Sequence, residues 1–338
     1  MILGGDRTPF TFYDYGIDIP VSKDKREKVL NVLRSNPLLE SSFNAWFTDR
    51  PDEEITSEDL LRVHSKEYVN RLFSPRLEAE VMKTYELLDD DGNSHRYDPK
   101  KQSRPLTHLF DRALRTTAGS YHCCKIALQT GFCFFLGGGM HHAQRDTGNG
   151  FCLINDVVIS IRKLQAGGLV RNAWVIDLDV HKGDGTASLT EGDRSITTLS
   201  IHMAKGWPLD GEEFDAGGRL NPSFVPSDID IPIDVGEEHI YVERLKSGLE
   251  RLLPFGTPDI ALVLSGADPY EKDELPSTAL MRLTREQLFE RDRLVYTFLR
   301  AKKIPGAYLM AGGYGKSSWE IYTRFLEWVL IGNLEGPG

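Results

Sequence analysis

Only 4 of the 338 residues are cysteine, and Cys123, Cys124, Cys133 and Cys152 form no CxxC spacing. Neither a zinc knuckle nor a thioredoxin-type centre is signalled, and the thiols read as reduced side chains of a cytoplasmic protein. Positive charge is in deficit: 40 Lys and Arg against 50 Asp and Glu leave a net charge of −10. Direct nucleic-acid binding, which needs a basic face, is not expected. No apolar run approaches the roughly 20 residues of a membrane span, and the longest, such as residues 132–136, have the length of strands. Near the amino terminus, Asp6, Arg7 and Pro9 stand where a secretory leader would be apolar, so no leader is expected. The glycines form neither GxGxxG nor GKS/T spacing, which argues against a nucleotide site. What is left, 40% hydrophobic and 27% charged residues, is the composition of a soluble globular protein.

Residues 89–104 (DDDGNSHRYDPKKQSR) are polar and turn-rich and read as a long surface loop, and 206–227 is a second irregular stretch. Elsewhere apolar runs end in Gly, Asp or His clusters: GFCFFLGGG (131–139), AWVIDLDV (173–180), SITTLSIH (195–202), DIALVLSGAD (259–268) and GAYLMAGGYG (306–315). Runs apolar on both pleat faces suit parallel strands covered by helices on each side. Amphipathic spacing predicts helices over 22–34, 57–73, 155–164, 242–253, 285–299 and 317–329. The alternation predicts a single α/β domain over residues 1–338 with a parallel sheet.

Open parallel sheets bind ligands at the carboxyl ends of their strands, and polar groups collect there. Asp177, Asp179 and His181 alternate along one strand end, so period two puts them on one side. Two carboxylates and an imidazole buried together need positive charge; a divalent metal is the simplest source, and Lys182 as counter-charge is the plainer one. Asp268, ending another strand, could complete a three-ligand set. His141 and His142 follow three glycines; a kink there would let both face one site, where acid–base work suits them, with Asp177 and Asp184 as candidate partners. Tyr314, in a Gly-Gly-Tyr-Gly turn, could donate its hydroxyl to an oxyanion. Phe151 after Gly150 could line an apolar channel.

The segments GGGMHHAQRDTGNGFCLINDV, IDLDVHKGDGT, SGAD and GGYG, with the weaker VHSKEYV at 63–69, occur in the order found in the zinc-dependent histone deacetylases, and the chain resembles that superfamily over about residues 20–330. The resemblance implies the arginase/deacetylase fold, three layers around an eight-stranded parallel sheet. It implies Asp179, His181 and Asp268 as zinc ligands, His142 paired with Asp184 as general base and then acid, and His141 paired with Asp177 as its electrostatic partner. Tyr314 would polarise the amide carbonyl. Gly150 and Phe151 would form one tunnel wall and Trp207 the other. A structural potassium ion would be held by Asp177, Asp179, His181, Ser200 and Ile201. The implied reaction is hydrolysis of an N-acyl amide, an acyl-lysine first of all, to an amine and a carboxylate.

The chain departs from that pattern in places. IPVSKDKREKVL replaces the family's His-Pro-Glu-Arg-type segment, and Lys182 replaces the second His of Asp-x-His-His. Relatives that prefer polyamines carry a glutamate seven residues past the last ligand; Leu275 stands there, with Glu274 beside it. This leans toward acyl-lysine over acetylpolyamine. A binuclear manganese ureohydrolase would need a second aspartate near Asp268, which Ser265-Gly266-Ala267 does not supply. A non-catalytic acyl-lysine reader would have lost a ligand, the His pair or Tyr314, and all are present.

Overall fold

The computed structural model describes residues 1–5, 10–49, 53–89 and 91–334. Asp6, Arg7 and Pro9, on which the expectation of no leader rests, and Asp90 of the polar stretch lie outside the described residues. The strands are β1 (Ile2–Leu3), β2 (Phe47–Thr48), β3 (Phe132–Phe135), β4 (Ala173–Asp177), β5 (Ile196–Met203), β6 (Ile229–Ile233), β7 (Ile260–Leu264) and β8 (Gly306–Leu309). They form one sheet in the order β2-β1-β3-β8-β7-β4-β5-β6, and each neighbouring pair is parallel. The helices are α1 (Lys25–Ser35), α2 (Phe43–Trp46), α3 (Ser57–Leu61), α4 (Lys66–Leu72), α5 (Leu77–Thr84), α6 (His108–Thr130), α7 (Asp156–Ala166), α8 (Asp184–Thr190), α9 (Tyr241–Leu252), α10 (Arg285–Ala301) and α11 (Trp319–Leu334).

Strand alternation builds two cores. Phe132 and Phe134 of β3 and Trp174 and Ile176 of β4 pack with α1, α9, α10 and α11 on one face. Cys133 and Phe135, with Ala173 and Val175, pack with α4, α6 and α7 on the other. Each fully buried Leu, Ile or Phe contributes about 1.5–3 kcal/mol relative to exposure. Burial on both faces is why the central strands read as unbroken apolar runs. This is the helix–sheet–helix arrangement that the resemblance implies.

Two expectations need correction. The segment 57–73 is two helices, not one: His64 turns inward, its Nδ1 2.9 Å from the Gln144 carbonyl and its Nε2 accepting from Asn155 N–H. The Ser65 hydroxyl then caps the restart of α4 by accepting from Tyr68 N–H. The strand at 173–180 stops at Asp177, because carboxylates take over the backbone donors: Asp177 accepts from Asp179 N–H and Asp179 from His181 N–H. Leu178 and Val180 nevertheless stay on the core side, so the alternation outlives the ladder. The stretch 89–104 is exposed but pinned, through the Leu88–Ser94 and Ile17–Tyr97 bridges.

Candidate active site

Two glycines in left-handed backbone, Gly138 at φ 79° and Gly139 at φ 87°, turn the chain sharply after β3. Buried Asp156, at the start of α7, locks that turn by accepting from Gly139 N–H, from Met140 N–H at 2.6 Å and from the Ser120 hydroxyl. The kink brings the rings of His141 and His142 side by side, centroids 3.9 Å apart, so the two do not point opposite ways.

Each ring has its own carboxylate. His141 Nδ1 lies 2.6 Å from Asp177 Oδ2 at the end of β4. His142 Nδ1 lies 2.7 Å from Asp184 Oδ1 at the start of α8. Asp184 also accepts from Gln144 Nε2, Asn149 Nδ2 and the Ser223 hydroxyl. Burial disfavours charge on His141, but Asp177 and Asp179 outweigh it and raise the ring to about 10. Burial and then the neighbouring His141 act the other way on His142, which falls to about 4 despite Asp184.

Beside the pair, ligand atoms of Asp179, His181 and Asp268 lie within 4.8 Å of one another, all buried. His181 Nδ1 faces the cluster, 3.2 Å from Asp179 Oδ1 and 3.5 Å from Asp268 Oδ2. Its Nε2 lies 3.1 Å from the Ser277 hydroxyl. Asp268 Oδ2 is buried without a hydrogen-bond partner, and burial with Asp179 nearby raises that carboxyl to about 8. A buried carboxylate oxygen beside a second carboxylate and an imidazole is stabilised by positive charge. A His and two Asp oxygens are a donor set that zinc accepts. The residues therefore fit a metal.

A cavity of about 680 Å³ opens onto this cluster, lined by His142, Gly150, Phe151, Asp179, His181 and Tyr314 among others. Phe151, at φ 65°, is held by its N–H on the Thr84 carbonyl and by stacking on Tyr85. Trp207 stands edge-on to His142 at 4.5 Å and His181 at 5.4 Å, against Gly150, where a side chain would collide with it. Burial, then Asp268 and Asp179, hold the Tyr314 phenol well above its ordinary range, so it stays a proton donor. Asp177 and Ser200 are register partners on β4 and β5, and Ile201 is buried next to them. Lys182 is buried with its ammonium 3.6 Å from Asp230, away from the carboxylate cluster.

Leu275 is buried with its N–H on Asp273 and is not part of the cavity wall. Glu274 accepts from Lys316 N–H. Sequence reasoning passed over Gln144, Asn149, Ser223, Ser277 and Asp273. The first two sit inside the His-His motif and were within reach; the others lie far along the chain and become neighbours only in the fold.

The histone deacetylase domain family model matches residues 19–327. The chain is similar to an uncharacterized protein of Picosynechococcus sp., 32% identical over 217 residues, 64% of this chain and 67% of the relative. It is also similar to Histone deacetylase 2 of Arabidopsis thaliana, 26% identical over 81% of this chain and 65% of that protein. Acetoin utilization protein AcuC of Staphylococcus aureus is 25% identical over 83% of this chain and 70% of AcuC. The chain thus spans about two thirds of the length of these relatives. Among the described residues, no helix is long and apolar enough to cross a membrane.

Proposed function

The chain belongs to the histone deacetylase family, and from that premise we propose that it is a zinc-dependent amidohydrolase that removes an acyl group, acetyl first of all, from the side-chain amine of a lysine. The observation that carries the reading is a histidine–carboxylate pair, His142–Asp184, lying against a three-residue ligand set in a cavity also lined by Tyr314.

Asp179, His181 through Nδ1 and Asp268 would hold the zinc, whose Lewis acidity would polarise the amide carbonyl and a bound water. The Ser277 hydroxyl beside Nε2 favours the tautomer that leaves Nδ1 free to ligate. His142, kept neutral by burial and by cationic His141, accepts the proton of the attacking water at Nε2, since Nδ1 is engaged by Asp184. Asp184 steadies the cation so formed. The Tyr314 hydroxyl donates to the carbonyl oxygen as negative charge develops. His142 then returns the proton to the leaving nitrogen, giving a free amine and a carboxylate. Gly150, Phe151 and Trp207 would flank the neutral stem of the acyl-lysine.

Acyl-lysine is put ahead of an acetylated polyamine on the resemblance alone: position 275 is leucine where relatives that prefer polyamines carry a glutamate. A potassium ion at Asp177, Asp179, His181, Ser200 and Ile201 is proposed on the family resemblance. Four buried free thiols support a reducing, cytoplasmic setting. The test is amine release from an acetyl-lysine peptide and from an acetylated polyamine by zinc-loaded protein, with His142→Ala and Tyr314→Phe as controls. The peptide is expected to react faster, and both variants to lose most turnover. Equal turnover in the two variants and the parent would overturn the assignment.

A further inference from the structure

The Tyr314 turn has no regular secondary structure, yet its backbone is bonded at each residue. Gly312 O accepts from Ala267 N–H and from the Tyr322 hydroxyl at 2.6 Å. Tyr314 N–H donates to Asp273 Oδ2 at 2.7 Å, Gly315 N–H to the Pro20 carbonyl and Lys316 N–H to Glu274. The Gly313 carbonyl is taken by the ammonium of Lys25, 3.0 Å away, from the first turn of α1, 288 residues distant in sequence.

Lys25 is a costly residue for this task. Its side chain is 9% exposed, and burial pulls it down to about 8. It forms no ion pair within 4.0 Å among those recorded for the described residues, although Asp273 is the acid that most supports its charge. Its Nζ also lies 5.6 Å from the Tyr322 ring, whose hydroxyl holds the preceding carbonyl. Lys25 and Asp273 thus grip the two ends of one peptide, the Gly313 carbonyl and the Tyr314 N–H, and Tyr322 grips the peptide before it.

We propose that Lys25 is a positioning residue for Tyr314: its ammonium fixes the carbonyl end of the Gly313–Tyr314 peptide, whose N–H end Asp273 holds, and so sets where the phenol hydroxyl stands in the cavity. This rests on the proposed amide hydrolysis for its kinetic effect but not for its geometry. Removing the ammonium leaves the peptide between Gly313 and Tyr314 anchored only through its N–H on Asp273, so it can tilt, and a displacement of about 1 Å at a group that meets the transition state costs on the order of 100-fold.

The experiment is a double-mutant cycle with a spectroscopic readout. Lys25→Met, Tyr314→Phe and the double variant are compared as zinc-loaded full chains on an acetyl-lysine peptide, and 3-fluorotyrosine is placed at position 314 for fluorine NMR. Lys25→Met is expected to lower kcat by roughly 10- to 100-fold, with KM and zinc content unchanged. The double variant should be no slower than Tyr314→Phe, the fluorine resonance should move or broaden, and Lys25→Arg should restore part of the rate. Losses that multiply in the double variant, or an unmoved fluorine resonance, would overturn the proposal. If Lys25→Met does not fold, Lys25→Gln carries the same comparison. A parent chain without turnover would refute the hydrolase reading alone, and the fluorine signal would then decide the role of Lys25.

Discussion

The site has an inner and an outer histidine–carboxylate region, one bond apart in sequence and opposite in behaviour. The inner one, His141 with Asp177, sits on the end of β4 beside Asp179, and those carboxylates raise the imidazole to about 10. The outer one, His142 with Asp184, faces the cavity from the start of α8, and burial with cationic His141 drops it to about 4. Hydrogen-bond lengths of 2.6 and 2.7 Å do not separate them. What separates them is the charge beyond the pair. On the proposed reading, two like residues thereby take unlike roles, a fixed cation and a proton carrier, by the same logic that drives paired catalytic groups apart elsewhere.

Removing the carrier should have the largest effect. His142→Ala is expected to cut kcat by about 10³- to 10⁴-fold with zinc content intact, read by amine release and metal analysis. A loss under tenfold would mean that the outer histidine carries no proton. Next comes Tyr314→Phe, with an expected loss of about 10²- to 10³-fold in kcat and little change in KM.

The carboxylates sharpen the contrast further. Asp184→Asn should cost about 100-fold in kcat/KM, because its single acceptor oxygen cannot serve both the carrier and the Gln144, Asn149 and Ser223 donors. Asp177→Asn should cost nearer tenfold, since it weakens a fixed charge that Asp179 also supports. Steady-state kinetics of the two variants would erase the distinction if the order reversed.

The smallest expected effect is on stability. His64, buried and neutral between the Gln144 carbonyl and Asn155 N–H, braces the loop that carries both pairs. Burial lowers it from 6.5 to about 4. The unfolded chain takes up a proton near pH 6.5 and the folded chain only near 4, so unfolding gains a proton between those values. The stabilisation is complete above pH 6.5 and shrinks by at most about 3 kcal/mol as the pH falls to 4. Urea midpoints at pH 7 and pH 4.5 should fall less with acid in His64→Gln than in the parent.

The central strands were legible because burial on both faces leaves a plain apolar run, as in β4 and β7. The edge was not: β1 and β2 have two residues each, and Pro232 interrupts the pattern of β6, tolerable at a sheet edge. Helix α6 escaped because Thr117, Gly119 and Ser120 give it a small polar face that packs inside the protein. Of the site, the residues lying in motifs could be named, and in the fold His141 lies against Asp177 and His142 against Asp184. Lys25, Asp273 and Ser277 could not, since nothing near them in sequence states what they will touch. The end of β4 was misjudged for a related reason: alternation reports the side a residue faces, not whether its backbone stays in the ladder.

The most direct test of a zinc hydrolase with an outer proton carrier is to strip the chain of metal and titrate zinc back while following amine release from an acetyl-lysine peptide, in parallel with His142→Ala. The account predicts that release rises with zinc and levels off at about one equivalent in the parent, while the variant binds the same equivalent and stays silent. Stoichiometric zinc binding by the parent without amine release, or equal release by the variant, would contradict it.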